Sequence, residues 1–311
     1  MKRILITGVT GFVGTNLVTH FHNQGDYMLF GHSRNAEKAR AQFQNAKVEI
    51  IDRLSAATLN DLKIDYLIHL AGIAHDLSSQ YQTEDYFRVN YGDTKKIYDE
   101  FLQSNASKFI FLSSIKAVAD HAHAPLTEET TPHPLTDYGK SKLKAEQYIQ
   151  SKMNVPGKGA FTFRPCMIHG PGNKGNLNLL YRFVKRGIPF PLAAFENRRS
   201  FLSIDNFSFI VQRVLENQIL PGTYHLADDG HLSTKDLYAL IASAIGKKPR
   251  IWNVPRVIVR AAAALAGKKN MLNKLTEDYV VSNKKLLHSL NGKLPLALRD
   301  GLGKTIKSFR E

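Results

Sequence analysis

The chain has 311 residues, 43% hydrophobic and 22% charged, which describes an ordinary globular protein with room for one large domain or two intimate ones. Its lone cysteine, Cys166, excludes an internal disulfide and suits a reducing cytoplasm. The net charge of +15 is uneven, with 16 Lys and Arg against 5 Asp and Glu from His231 to Glu311, yet no aromatic interleaving or nucleic-acid motif accompanies it, so nucleic acid is not the expected partner.

The first residues, MKRILITG, carry two positive charges, but their apolar run is too short for a signal peptide. No segment approaches a membrane span, so the mature chain is expected to start at Met1 and to work in the cytoplasm. Arg3 to Thr7 (RILIT) reads as a short buried strand leading into Gly8-Val9-Thr10-Gly11-Phe12-Val13-Gly14 and a helical pattern to about Gln24. Glycines three apart between strand and helix let the backbone turn tightly and approach a pyrophosphate at the helix N-terminus. Gly8, Thr10, Gly11, Phe12, Val13 and Gly14 are therefore candidate cofactor contacts. A second strand, Tyr27 to Gly31, ends where dinucleotide folds choose their cofactor. An acid there would hold the ribose 2′-hydroxyl of NAD; the chain has His32-Ser33-Arg34-Asn35 with Lys38 close behind. Ser33 and Arg34 suit a 2′-phosphate, so NADP(H) is the preferred cofactor and NAD(H) the alternative.

Lys47 to Ile51 is a third strand, with Asp52 placed to meet the adenine. Asp65 to Leu70 is a fourth, closing on the small pair Ala71-Gly72, so Leu70, Ala71 and Gly72 are expected along the cofactor. Tyr86 to Leu102 reads as a helix carrying Asn90, an interior polar candidate for a cofactor contact. Lys108 to Leu112 is a fifth strand ending in Ser113-Ser114. Strands alternating with helices predict an α/β fold with a doubly wound parallel sheet of about seven strands. Ligands bind at the carboxyl ends of such strands, where Gly8, Ala71 and Ser114 fall. Thr136 to Glu146 is the next helix, and it sets Tyr138 and Lys142 one turn apart on one face. An ammonium there is expected to lower the phenol below its ordinary pKa of ~10. Ala160 to Arg164 and Gly222 to Leu226 complete the strands, and Gly175-Asn176-Leu177 opens a helix reaching about Arg186.

The segments TGVTGFVG (7–14), HLAG (69–72), FLSS (111–114), YGKSK (138–142) and RPCMIHGPG (164–172) carry a resemblance. The chain is similar to an extended short-chain dehydrogenase/reductase of the nucleotide-sugar epimerase, dehydratase and reductase kind. The resemblance implies a Rossmann-type NAD(P)-binding domain over 1–165 with roughly 206–226. A smaller α/β substrate lobe would then cover roughly 166–205 and 227–311. It implies that Ser114 orients the substrate oxygen, with Ser113 as a stand-in, that Tyr138 is the general acid/base and that Lys142 holds the nicotinamide ribose. Arg164 joins the cofactor contacts. Asn176 and Leu177 are expected at a uracil and diphosphate, and Arg199 at the diphosphate, with Arg198 as substitute. His75 and Lys116 (of SSIK) look similar to a subgroup that reduces UDP-4-keto-6-deoxy-N-acetylhexosamines, and both join the substrate contacts.

The expected activity is therefore hydride transfer to the C4 ketone of such a UDP-sugar, with Tyr138 as proton donor. A 4-epimerase with tightly held NAD is the alternative, and a non-catalytic dinucleotide sensor is the reading from another class. Two positions depart from the family pattern: His169 stands where a Tyr is usual before Gly-Pro-Gly, and Ala119-Asp120 replaces Tyr-Gly. His121, His123 and His133 lack a metal-type framework, so no metal is expected. Cys166 reads as packing, and Pro255 to Gly267 as a lobe helix. The expected partner is the UDP-sugar; a homodimer and a membrane surface for the basic tail section stay open.

Overall fold

The computed structural model describes residues 1–73, 81–173 and 175–309. The strands β1 (Lys2–Thr7), β2 (Tyr27–His32), β3 (Val48–Ile51), β4 (Tyr66–His69), β5 (Lys108–Leu112) and β6 (Gly159–Pro165) are followed by β7 (Met167–His169), β8 (Phe201–Ser203) and β9 (Gly222–Leu226). Seven of them form one parallel sheet in the order β3-β2-β1-β4-β5-β6-β9. Strands β7 and β8 pair separately. The sheet is the predicted one, its strand ends within a residue or two of expectation. Both of its faces are covered, as a parallel sheet requires: Ile4 and Ile6 of β1 pack in one apolar cluster and Leu5 in the cluster on the opposite face. The strand order reverses between β1 and β4, which opens a crevice at their carboxyl ends.

Helices α1 (Phe12–Gln24), α2 (Ala36–Gln42) and α3 (Ala56–Asp61) flank the first strands. The helix expected from Tyr86 to Leu102 is instead α4 (Thr83–Tyr86), a wide π-helical turn from Phe87 to Asp93, and α5 (Thr94–Gln103). The wide turn is where Asn90, fully buried, is anchored to backbone outside the helix. Next come α6 (Asp137–Ser151), α7 (Asn176–Lys185) and α8 (Ile204–Leu215); α8 packs Phe207, Ile210, Val211 and Val214 onto the large sheet's cluster. Lys108, at the start of β5, closes the end of α8 by donating to the carbonyls of Val214 and Leu215 (2.5 and 2.9 Å).

The remaining helices are α9 (Thr234–Ala244), α10 (Arg256–Leu265), α11 (Lys269–Thr276), α12 (Lys284–Ser289) and α13 (Leu298–Ser308). Leu177 and Tyr181 of α7, Leu237 and Ile241 of α9, and Leu302 and Ile306 of α13 build a second, separate apolar cluster. Among the described residues no helix is long and apolar enough to cross a membrane.

Candidate active site

The glycine loop meets the demands its spacing makes. Gly8 adopts φ +69°, and a Cβ there would lie 2.8 Å from the Ala71 nitrogen; one on Gly14 would lie 2.5 Å from the Gly8 carbonyl oxygen. Side chains are thus excluded where backbone must turn and where α1 approaches the loop. Gly11 caps α1 in an extended conformation and has no side chain with which to satisfy the first-turn N–H groups. The result is a cradle shaped for a pyrophosphate on a helix N-terminus, and the residues present fit a dinucleotide. At the neighbouring end of β2, Ser33 Oγ lies 3.5 Å from Thr10 Oγ1 and Arg34 is exposed. Beyond β3, Asp52 is exposed and accepts from Arg40 at 2.7 Å, a partner that sequence reasoning missed.

The next group forms where α6 meets the end of β5. Thr136 caps α6 by accepting from the Gly139 N–H (3.3 Å), and the Asp120 carboxylate accepts from the N–H groups of Leu135 and Thr136 (2.8 and 3.1 Å). Gly139 has no Cβ to strike the Lys116 carbonyl, so α6 lies directly on the 3₁₀ turn Ile115–Ala117 that follows Ser114. Ser114 Oγ caps that turn, accepting from the Lys116 N–H (3.2 Å), and forms a hydrogen bond with the Tyr138 side chain. Ser113 is not its equivalent, because its hydroxyl donates to Glu146 inside the molecule.

The expected acidification of Tyr138 is corrected. Burial raises its pKa above the ordinary phenol value, with the Ser114 bond opposing, and the Lys142 ammonium does not enter. Lys142, 4% exposed, turns to the end of β5, donating to the Leu112 carbonyl (2.9 Å) above the Phe111 ring (4.9 Å). Burial lowers its pKa to about 8, against the pull of Glu146.

Three expected contacts have partners inside the molecule. The Arg164 guanidinium is paired with Glu146 (Nη2 at 2.6 Å, Nε at 3.0 Å) and faces His225 (3.5 Å). Asn90 accepts from the Ile73 N–H (2.8 Å) and donates to the Ile73 carbonyl and Ser141 Oγ (3.0 and 3.1 Å). It pins the backbone after Gly72 to α6. The Leu177 side chain is packed in the small-lobe cluster, while Asn176 stays exposed at the first turn of α7. His69 was missed as a supporting residue: it bridges Thr7 Oγ1 (2.7 Å) and Thr94 Oγ1 (2.9 Å) beneath Leu70, Ala71 and Gly72. Full burial pushes its pKa down to about 3.

Opposite Tyr138 lies a cationic corner. Lys116 Nζ donates to the Asp120 carbonyl (2.9 Å) and sits 4.7 Å above the Tyr279 ring. The Arg199 guanidinium lies 5.8 Å from the same ring and donates to the Lys274 carbonyl (2.6 Å). Burial lowers the pKa of both cations and raises that of Tyr279, whose hydroxyl donates to the Ala119 carbonyl (2.7 Å) and whose ionisation feels Tyr138. Arg198 instead pairs with Asp278 (2.6 Å), so of the two arginines Arg199 belongs to this corner. No local motif marks Tyr279 or Lys274. His75 lies outside the described residues. His169 is fully buried against Thr305 (2.9 Å) in the small lobe, away from the site. Among the described residues no group of three His, Cys, Asp or Glu side chains could hold a metal ion.

A family model described as the NAD dependent epimerase/dehydratase family matches residues 4–227. The chain is 29% identical over 318 residues to the UDP-glucose 4-epimerase of Vibrio cholerae, covering 99% of this chain and 95% of that protein. It is 26% identical over 325 residues to the N-acetyl-alpha-D-glucosaminyl-diphospho-ditrans,octacis-undecaprenol 4-epimerase of Escherichia coli O157:H7, covering 98% and 94%. The fold matches the Bordetella bronchiseptica enzyme WbmG, solved in complex with NAD, at a TM-score of 0.78 with 17% identity, covering 99% and 94% of the two chains.

Proposed function

The chain belongs to the NAD-dependent epimerase/dehydratase family, and from that premise we propose that it is a 4-epimerase of a UDP-sugar working with a held NAD. The observation that carries this reading is the hydrogen bond between half-buried Tyr138 and Ser114, with Lys142 one helical turn on, at the carboxyl end of the sheet and next to the glycine cradle. The full-length likeness to an enzyme named as a 4-epimerase supports epimerisation over the family's other reactions.

When bound, the nicotinamide supplies a hydride acceptor and donor at the sugar's C4. The chain's own residues handle everything else. Ser114 Oγ orients the C4 oxygen, and Tyr138 Oη takes its proton as the hydride leaves C4. After the 4-keto sugar presents its other face, Tyr138 returns the proton as the hydride comes back, so no net oxidation results. In the chain alone burial holds Tyr138 as the neutral phenol, and a positive charge arriving beside it would draw its pKa down. Lys142 would hold the ribose end of the cofactor, and the cradle from Gly8 to Gly14 its pyrophosphate. Arg199 and Lys116 take the sugar's diphosphate, with Asn176 at its rim. The cofactor unit is residues 1–165 with roughly 206–226, and the substrate lobe roughly 166–205 and 227–311.

The second reading is reduction of a UDP-4-keto-6-deoxy-N-acetylhexosamine with NADPH, favoured by Ser33 and Arg34 where an acid is absent. One set of incubations tests both. UDP-glucose, UDP-N-acetylglucosamine and the polyprenyl-diphosphate sugar named for the E. coli relative are offered with NAD, and UDP-4-keto sugars with NADPH. Epimerisation yields a mixture of C4 epimers with no net change in nicotinamide absorbance. Stoichiometric loss of NADPH with a ketone, and no epimer from any alcohol, would establish the reductase. Absence of both reactions despite tight cofactor binding would leave a sensor.

A further inference from the structure

We propose that the small lobe docks on an anionic lipid bilayer through the outer face of α10. No residue of this helix is buried. At 100° per residue, Val259 and Ala263 point to the lobe, where they pack against its apolar cluster. The opposite face carries Val257, Ile258, Ala261 and Leu265, and its large side chains are 78%, 58% and 91% exposed. A helix on a globular surface ordinarily turns its apolar stripe inward; here the wider stripe faces out.

The charge around it selects the occupant. From Leu237 to Thr276 there are eight Lys and Arg and no Asp or Glu. Arg256 and Arg260 lie on one flank of the stripe, their guanidiniums over Phe195 (5.6 and 5.9 Å), with Arg256 Nε anchored on the Ala194 carbonyl (2.7 Å). Lys268 and Lys269, both exposed, follow the helix end after Gly267. An apolar stripe flanked by Arg256, Arg260, Lys268 and Lys269 matches a surface of acyl chains beneath anionic headgroups. A second copy of the same face would instead bring two predominantly cationic flanks together. Ten residues cannot span a bilayer, so α10 lies in the interface plane.

The test is sedimentation of the full chain with phosphatidylglycerol or phosphatidylcholine vesicles, at low and high salt. Binding to phosphatidylglycerol alone, lost in high salt, is expected. The double variant Val257→Glu with Leu265→Glu should bind about tenfold more weakly or not at all. Both positions are exposed, and an unchanged melting temperature confirms that the variant folds. Lys268→Glu with Lys269→Glu should weaken binding without touching the apolar stripe. Failure to sediment with phosphatidylglycerol at low salt, or equal binding by the Val257/Leu265 variant, overturns the proposal. So does light scattering that shows a dimer dissolved by the same variant, because the face would then belong to a second copy.

Discussion

Lys108 begins β5 at the amino end of the sheet, and Lys142 leans on Leu112, which ends the same strand. The two are 9% and 4% exposed, and burial lowers each to a pKa of about 8. Their hydrogen bonding differs. Lys108 is held by two carbonyls that close α8. Among the described residues Lys142 donates to one carbonyl, and its ammonium borders Gly72, where a Cβ would come within 3.1 Å of Nζ. A buried, depressed lysine is therefore not by itself a mark of function. Among the described residues the difference is that Lys142 keeps two of its three donors where Lys108 keeps one, and that small backbone lies beside Lys142.

The strongest way to probe this contrast is at the phenol above Lys142. Tyr138→Phe should lower epimer formation by roughly 10²–10⁴, with the melting temperature held, because it removes the proton carrier and little packing. Wild-type turnover in that variant would remove Tyr138 from the chemistry. The lysines themselves come next. Lys142→Met should abolish turnover and weaken cofactor binding, read by fluorescence titration, while the fold persists. Lys108→Met should do the reverse, losing roughly 1–3 kcal/mol of stability as the carbonyls of Val214 and Leu215 go unbonded, at unchanged kcat. If both variants lost activity alike, the two ends of the strand would not be distinct.

A further effect is expected in acid. His69 and His225 titrate near 6.5 when unfolded but are held to about 3 and about 4 in the fold. Their contribution is complete above pH 6.5 and is lost as pH falls toward those values, since only the unfolded chain takes up the protons. Each should remove about 1.4 kcal/mol per pH unit across that window. Urea midpoints at pH 7 and pH 5 for wild type and His69→Gln check this, and the variant should show the shallower decline. An effect confined to one cofactor is assigned to Arg34→Ala. NAD-supported turnover should not change, while NADPH binding should fall by about 1.5–3 kcal/mol if the guanidinium meets a 2′-phosphate.

The sheet was legible because each strand is an apolar run bounded by turn residues, and the site's near half because its parts sit in local motifs. Ser114, Tyr138 and Gly8 needed no tertiary information. What escaped the reading joins distant residues. The network of Ser113, Glu146 and Arg164 draws on the end of β5, α6 and β6, so neither the unavailability of Ser113 nor the pairing of Arg164 shows in any one segment. Tyr279 reaches the cationic corner from far along the chain. Burial also reversed the expected sign at Tyr138, because an adjacent cation in sequence says nothing about desolvation. Leu177 is different: Leu177, Tyr181 and Val184 recur at helical spacing, and that pattern marks Leu177 as core.

The wide turn from Phe87 to Asp93 makes the rod from α4 to α5 a pair of gears set out of phase. One surplus residue rotates α5 by about 100° relative to a uniform α-helix. Tyr86 and Val89 engage Ile73 and Tyr138 on the site side, whereas Tyr98 and Phe101 mesh with the cluster on one face of the sheet. Deleting any single residue between 87 and 93 would let the turn relax to an ordinary pitch and disengage one set of teeth: Asn90 would leave Ile73, or Tyr98 would leave the core. Chain length here is a mechanical constraint that composition does not reveal. Substitutions at exposed Arg88 should be tolerated where a deletion beside it is not.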